Sequence, residues 1–362
     1  MDLRPVAIVS SIVNPLVILT NFHSRFTGVS ATISNLAERH DQQYDVVILG
    51  KRLPVSTRQM GRWQLFRLFW KNGFRKKTIW HARRNSEMLF GIIAKYVFRL
   101  PLRLVFTTVA LRRHSVFPRW LLSKMDTIIA TTREAALYVD RCDAVIPHGI
   151  DTEVFRPPED KQAAWRESGL PGKYGVGIFG RVRAEKGTDL FIEAMCQLLP
   201  KYPDFTAIVA GHCKPRDLPF LEALKKRLVE AGVDDRVIWL GQVSAEERHR
   251  WFQRIVLCVA PPRYEGFGLT PIEAMSCGAA VVATRTGVFP TLIKDDEVGH
   301  LVDIGDIKSL RNAIDHCLAD PEQTISKGKS GRQHVCRYYD IRQEATAIEA
   351  VYEKTLIGDS SP

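Results

Sequence analysis

A chain of 362 residues is longer than one hydrophobic core usually serves, so two domains of ordinary size are expected. An apolar content of 45% fits a globular protein, and seven cysteines scattered singly, with no Cys-x-x-Cys pair, argue against a disulfide framework or a structural zinc. The net charge of +11 is concentrated: residues 51–120 carry seventeen Lys and Arg against one acid, Glu87, which leaves the remainder of the chain net acidic.

In chain order, the opening segment "MDLRPVAIVSSIVNPLVILTNF" is apolar, yet Asp2 cancels Arg4 and Asn14-Pro15 interrupts the run. It reads as the first strand region of a cytosolic domain and not as a signal peptide. No stretch approaches the roughly 20 apolar residues that span a bilayer. "TGVSATISNLAERHD" predicts a helix after a glycine turn, and "YDVVILG" (44–50) a short buried strand. Strands follow near 78–80 and 103–108, with a helix around 86–99 between them. "MDTIIATTREAALYV" and "CDAVIPHGID" continue the alternation that makes a parallel sheet covered by helices.

The stretch 155–175 mixes prolines, glycines and charges without a sustained period, which places a domain boundary there. A second strand-helix series runs from "YGVGIFG" through "AAVVATRTG" to helices beyond Ile307. The expected fold is therefore α/β, with two doubly wound domains and a cleft between them. The boundaries are 1–160 and 161–340, with a helix in 341–362 returning to the first domain. "GVGIFG" matches G-x-G-x-x-G, but its glycines lie within a strand, where a dinucleotide fingerprint does not work.

"RIVLCVAP" predicts a buried parallel strand, so the loop "PRYEGFGLTPIEAM" leaves its carboxyl end and faces the cleft. Two carboxylates, Glu265 and Glu273, flank this loop and helix start. Thr270-x-x-Glu273 has capping-box spacing, which would make Glu273 a helix cap. Glu265 has no obvious cation partner nearby in sequence. Carboxylates also suit sugar diols, because each oxygen accepts from a hydroxyl, and helix N-terminal amides near Phe267 to Thr270 suit a diphosphate.

The segment "PPRYEGFGLTPIEAMSCGAAVVA" strongly resembles the E-x7-E motif of retaining glycosyltransferases built from two facing Rossmann-like domains, the GT-B architecture. "VIPHGIDTEVFRP" and "GIFGRVRAEKGTDLFIEA" resemble that family's interdomain and phosphate-binding segments, in the same order. The resemblance implies that Glu265 holds hydroxyls of the transferred hexose, helped by amides at Phe267, Gly268 and Leu269. Glu273 would take the ribose hydroxyls, and Arg181 and Lys186 the diphosphate. Gly28 would let backbone approach the diphosphate from the first domain. Members often carry a histidine after the strand that here reads "RLVFTTVA", and Val109 or a neighbour fills that place. His81, at a strand end in the same domain, is the alternative sugar contact.

The chain has no His-Glu-x-x-His and no pair of aspartates two apart to hold a divalent ion against a diphosphate, so no essential metal and no cofactor beyond a nucleotide-sugar donor are expected. In "RWQLFRLFWKNGFRKK", Trp63, Phe66, Trp70 and Phe74 recur at helical spacing among six basic residues. Such a helix fits an anionic membrane surface, or packs its aromatics on the sheet. No nucleic-acid module is recognisable. "SRFTGVSATI" and "WHARRN" most resemble mannosyltransferases that extend the lipopolysaccharide inner core, which implies GDP-mannose as donor and a lipid-linked acidic glycan as acceptor. A UDP-sugar transferase, an epimerase and a non-catalytic polyanion-binding protein remain alternatives.

Overall fold

The computed structural model describes residues 16–23, 28–65, 77–294 and 296–358. Among these, two all-parallel sheets follow one another along the chain. The first contains β1 (Leu16–Asn21), β2 (Asp45–Gly50), β3 (Gln59–Met60), β4 (Thr78–Ala82), β5 (Leu102–Thr108), β6 (Thr127–Ala130) and β7 (Ala144–Val145), in the order β3-β2-β1-β4-β5-β6-β7. The second contains β8 (Tyr174–Phe179), β9 (Phe205–Ala210), β10 (Val237–Gly241), β11 (Leu257–Ala260), β12 (Ala280–Thr284) and β13 (His300–Val302), in the order β10-β9-β8-β11-β12-β13. Each sheet grows outward from its first strand and then reverses, so β1/β4 and β8/β11 are its switch points. Ligands of open parallel sheets bind outside the carboxyl ends at such points.

The strands are continuous apolar runs because helices cover both faces. Ile18 and Trp80 face one core of the first sheet, and Val17, Leu19 and Ile79 face the other. Register pairs Val17 with Ile79 and Leu19 with His81. The second sheet is sandwiched likewise: Phe191 and Leu198 pack on one side, Phe252, Ile272 and Met275 on the other.

Between the sheets, the stretch without sequence period contains a short helix, Lys161–Arg166, whose N-cap Asp160 accepts from the amides of Gln162 and Ala163. Trp165 of that helix is buried against Gly175. The chain crosses between the halves twice, and the two crossings bond to each other: Ile150 N–H donates to Tyr339 O at 2.9 Å, and Ile341 N–H to Ile150 O at 2.8 Å. The last helix, Ile341–Ile357, packs on helix Gly28–His40 and on β4, placing Ile341, Ala345, Ile348 and Tyr352 in the core of the first sheet. Of the basic aromatic stretch, Arg62–Gln64 forms one 3-10 turn. Phe66, Trp70 and Phe74, with the side chain of Trp63, lie outside the described residues.

Candidate active site

The loop after β11 runs from Pro261 to Gly268 and enters helix Leu269–Ser276. Gly268 has φ +96°, and a Cβ there would stand 2.4 Å from the Phe289 ring and 2.9 Å from Glu265 Cγ. Only glycine fits that corner. The partner missing for Glu265 in sequence is present in space: Lys186 Nζ lies 2.5 Å from Glu265 Oε2. Lys186 ends the 3-10 turn Ala184–Lys186 after β8, at the switch point. Gly187 follows with φ +73°, where an added Cβ would meet Pro261 O at 2.0 Å, so lysine turn and glutamate loop touch backbone to backbone. Arg263 fastens them further through two bonds to Asp189, at 2.8 and 2.7 Å, and through its own N–H to Glu185 O.

Glu273 does not form the expected capping box. The helix begins two residues earlier than that box requires, with Gly268 as N-cap and no side-chain cap. The Glu273 carboxylate instead accepts from Arg248 Nη2 at 3.1 Å and is 6% exposed. Burial raises its pKa, and the Arg248 charge opposes the rise. Arg248 comes from helix Ala245–Arg254, whose start does carry a capping box, Ser244 with Glu247.

A cleft of about 1090 Å³ opens beside these groups. Arg181, His212, Lys214, Gln242, Arg248 and Thr270 line it from the second half, and His23 and Gly28 from the first. Arg181 and Gly28 are thus on its wall, and Glu273 lies behind Arg248. A Cβ added at Gly28, the first residue of its helix, meets nothing within 4 Å among the described residues. Burial and the neighbouring Arg183 hold the Arg181 guanidinium below its usual pKa. His212, Lys214 and Arg248 were not singled out from sequence. The signal for the first two was available, since "AGHCKP" directly follows β9 at its carboxyl end.

His81 is a correction. It is fully buried, with Nδ1 2.6 Å from Tyr352 Oη and Nε2 2.7 Å from Thr107 Oγ1. Both ring nitrogens are taken and no edge faces the cleft. Burial, followed by the charges of Arg83, His40 and His148, keeps its pKa well below the ordinary value, so the ring is neutral. Its position at a strand end suggested ligand space, but the last helix lies over it and supplies Tyr352. Val109 does approach the glutamate loop, its carbonyl O standing 3.1 Å from a Cβ built at Gly266. A histidine reaches this loop from another direction: His148 packs edge-on against Phe267 at 4.9 Å and bonds Glu344 at 2.7 Å.

Two doubly wound units sharing a basic cleft have the arrangement of the GT-B fold, and comparison with known proteins agrees. A model of the family "Glycosyl transferases group 1" matches residues 160–334. The chain is 40% identical to the lipopolysaccharide core biosynthesis mannosyltransferase LpcC of Rhizobium leguminosarum bv. viciae, covering 95% of this chain and 97% of that one. It is likewise 40% identical to the lipopolysaccharide core biosynthesis mannosyltransferase LpsB of Rhizobium meliloti strain 1021, covering 94% and 97%. Among solved structures, the C-terminal domain of LpcC, a glycosyl transferase group 1 family protein from Francisella tularensis, aligns at 40% identity. That match has a TM-score of 0.52 and covers 53% of this chain and 100% of that one. A glycosyltransferase from Rickettsia africae aligns with a TM-score of 0.81 at 15% identity over 96% of this chain and 100% of that one, a likeness of fold. The chain belongs to the group 1 glycosyl transferases and is a glycosyltransferase.

Proposed function

We propose that the enzyme is a retaining mannosyltransferase that moves mannose from GDP-mannose onto the acidic inner-core glycan of lipopolysaccharide, at the cytoplasmic face of the membrane. The observation that carries this reading is the 40% identity, along 97% of their lengths, to both Rhizobium core mannosyltransferases.

In this reading the diphosphate sits against Arg181 and Lys186 on the second half, with the Gly28 backbone opposite. Bond cleavage builds negative charge on the departing phosphate and positive charge on the sugar, so fixed cations at the phosphate favour the transition state over the ground state. They do this without a divalent ion or cofactor. An ammonium has three donors, so Lys186 keeps Glu265 on one and offers the others to phosphate. That pair positions Glu265 to accept from sugar hydroxyls, with the amides of Phe267, Gly268 and Leu269 beside it. Glu273 takes the ribose hydroxyls while Arg248 balances its buried charge. In this reading the leaving phosphate, and not a protein base, receives the acceptor proton.

Attachment to an anionic membrane is supported by an exposed group that the sequence reading did not use. Tyr96, Val97 and Phe98 at one helix end, and Val116, Phe117 and Trp120 on the helix packed beside it, are all exposed. Residues 93–124 hold seven Lys and Arg and no acid. Nucleic acid has no part in this reading.

The deciding experiment is thermal stabilisation by a panel of nucleotide sugars, followed by transfer of labelled mannose and assignment of the anomeric configuration of the product. GDP-mannose is expected to stabilise and transfer with retention. Selective stabilisation and transfer by a UDP-sugar would replace the donor, and an inverted product would remove the retaining mechanism.

A further inference from the structure

We propose that Arg83 is the receptor for the acidic group of the acceptor, binding a sugar carboxylate at the carboxyl end of β4. The inference rests on the transferase reading above and assigns a subsite within it. Arg83 directly follows β4, at the β1/β4 switch point where a doubly wound sheet places ligands. Its residue is 9% exposed. Its Nε, Nη1 and Nη2 are all buried without a hydrogen-bond partner among the described residues.

The acidic and hydroxyl groups that act on Arg83 electrostatically are Tyr352, Glu344 and Glu87, with Arg84 and His81 as cationic or titrating neighbours. Each is committed elsewhere. The Glu87 carboxylate accepts from Thr20 Oγ1, from the amides of Phe22 and Arg83, and from Arg84 Nη1. Glu344 is bonded to His148 Nδ1 and accepts from Gly149 N–H, and Tyr352 Oη is bonded to His81. None of them accepts from the Arg83 guanidinium.

Arginines with a structural task look different here. Arg236 donates to the carbonyls of Leu199, Tyr202 and Phe205, and Arg332 to Phe155 O and Ser276. A buried guanidinium with every donor unused is costly and needs a reason to be kept. Its planar fork matches a carboxylate bidentately. The acceptor is favoured over the donor because the cations of the candidate donor site, Arg181, Lys186 and Arg248, all belong to the second half. Arg83 belongs to the first, and its neighbour Glu344 is bonded to His148, which packs on Phe267 of the Glu265 loop.

The test uses the full chain with GDP-mannose and two acceptors, a glycan bearing a sugar carboxylate and the same glycan with that group converted to a primary amide. The wild type should prefer the acid by about 100-fold in kcat/KM, mostly through KM. R83Q should fall to the amide level on both, R83K should lie between, and hydrolysis of donor without acceptor should not change. If R83Q keeps the preference, or the wild type shows none while still transferring, the assignment of Arg83 is wrong and the transferase reading stands. If the wild type neither transfers to either acceptor nor hydrolyses donor, both readings fall. A folding readout separates structure from recognition: without ligand, R83Q should melt at or above the wild-type temperature. A lower melting temperature would make Arg83 a structural residue and overturn the proposal.

Discussion

Lys186 and Glu265 are 79 positions apart in the chain and 2.5 Å apart in space, and the proposed chemistry depends on that contact. Lys186→Ala and Glu265→Gln are each expected to lower kcat by about 10²- to 10³-fold, and the double variant little further, because groups acting as a unit are not additive. Steady-state kinetics with saturating donor reads this. His81→Ala should instead act on stability. It leaves Tyr352 Oη and Thr107 Oγ1 unpaired inside the core, at a cost of about 1–3 kcal/mol. The check is the unfolding midpoint, with donor KM unchanged. Glu273 carries a pH dependence. Burial raises its pKa, so the folded state holds the proton more tightly than the unfolded chain. Its charge therefore subtracts stability as pH rises through the raised pKa, and subtracts nothing below the ordinary value of 4.5, where both states are protonated. Ligand-free E273Q should melt with the wild type at pH 4 and above it at pH 8, while binding donor more weakly. Equal melting temperatures at pH 8 would refute the burial argument.

At the scale of elements, the site is a set of strand ends joined by corners that need particular backbones. β8 delivers Arg181 and Lys186, β9 delivers His212 and Lys214, and β11 delivers the glutamate loop. Gly268→Ala puts a side chain at φ +96° and into the Phe289 ring. A loss of about 1–3 kcal/mol from the backbone conformation alone is expected, with the Glu265 loop displaced and transfer lost. Denaturant melts and the activity assay together check it; unaltered activity would show the loop tolerates the shift. The alternation of apolar runs with helical periods was legible in the sequence for both series, because buried parallel strands have few residues to choose from. The start of helix Leu269–Ser276 was less legible. Thr270 and Glu273 have the spacing of a cap, but Gly268 takes the cap position and Arg248 takes the carboxylate. A local motif was overridden by a side chain from another helix.

For the molecule as a whole, the uneven charge now has a described surface. Phe117 and Trp120 stack with centroids 6.1 Å apart on a helix with that face exposed to solvent, and Arg112, Arg113, Arg119 and Lys124, close to them in sequence, are exposed as well. Anionic vesicles at low salt are expected to bind the protein, and neutral vesicles to bind it far less. Salt should weaken the interaction, since each basic residue near such a surface contributes about 1 kcal/mol. Replacing Phe117 and Trp120 with alanine should cut the bound fraction in a flotation assay without changing donor binding. Failure of anionic vesicles to bind would remove the membrane reading and leave the transferase intact.

The sequence by itself determined the architecture, two strand-helix series one after the other, because periodicity and glycine placement are local and survive without knowledge of the fold. It also placed the glutamate loop at the carboxyl end of its sheet, since a loop after a buried parallel strand has one end of the sheet to leave from. Only the tertiary structure decided the partners. Lys186 for Glu265, Arg248 for Glu273, the last helix closing over His81 and the unpaired guanidinium of Arg83 are contacts between segments far apart in the chain, and no local spacing encodes them. Side-chain identity told which groups were able to pair; folding chose which did.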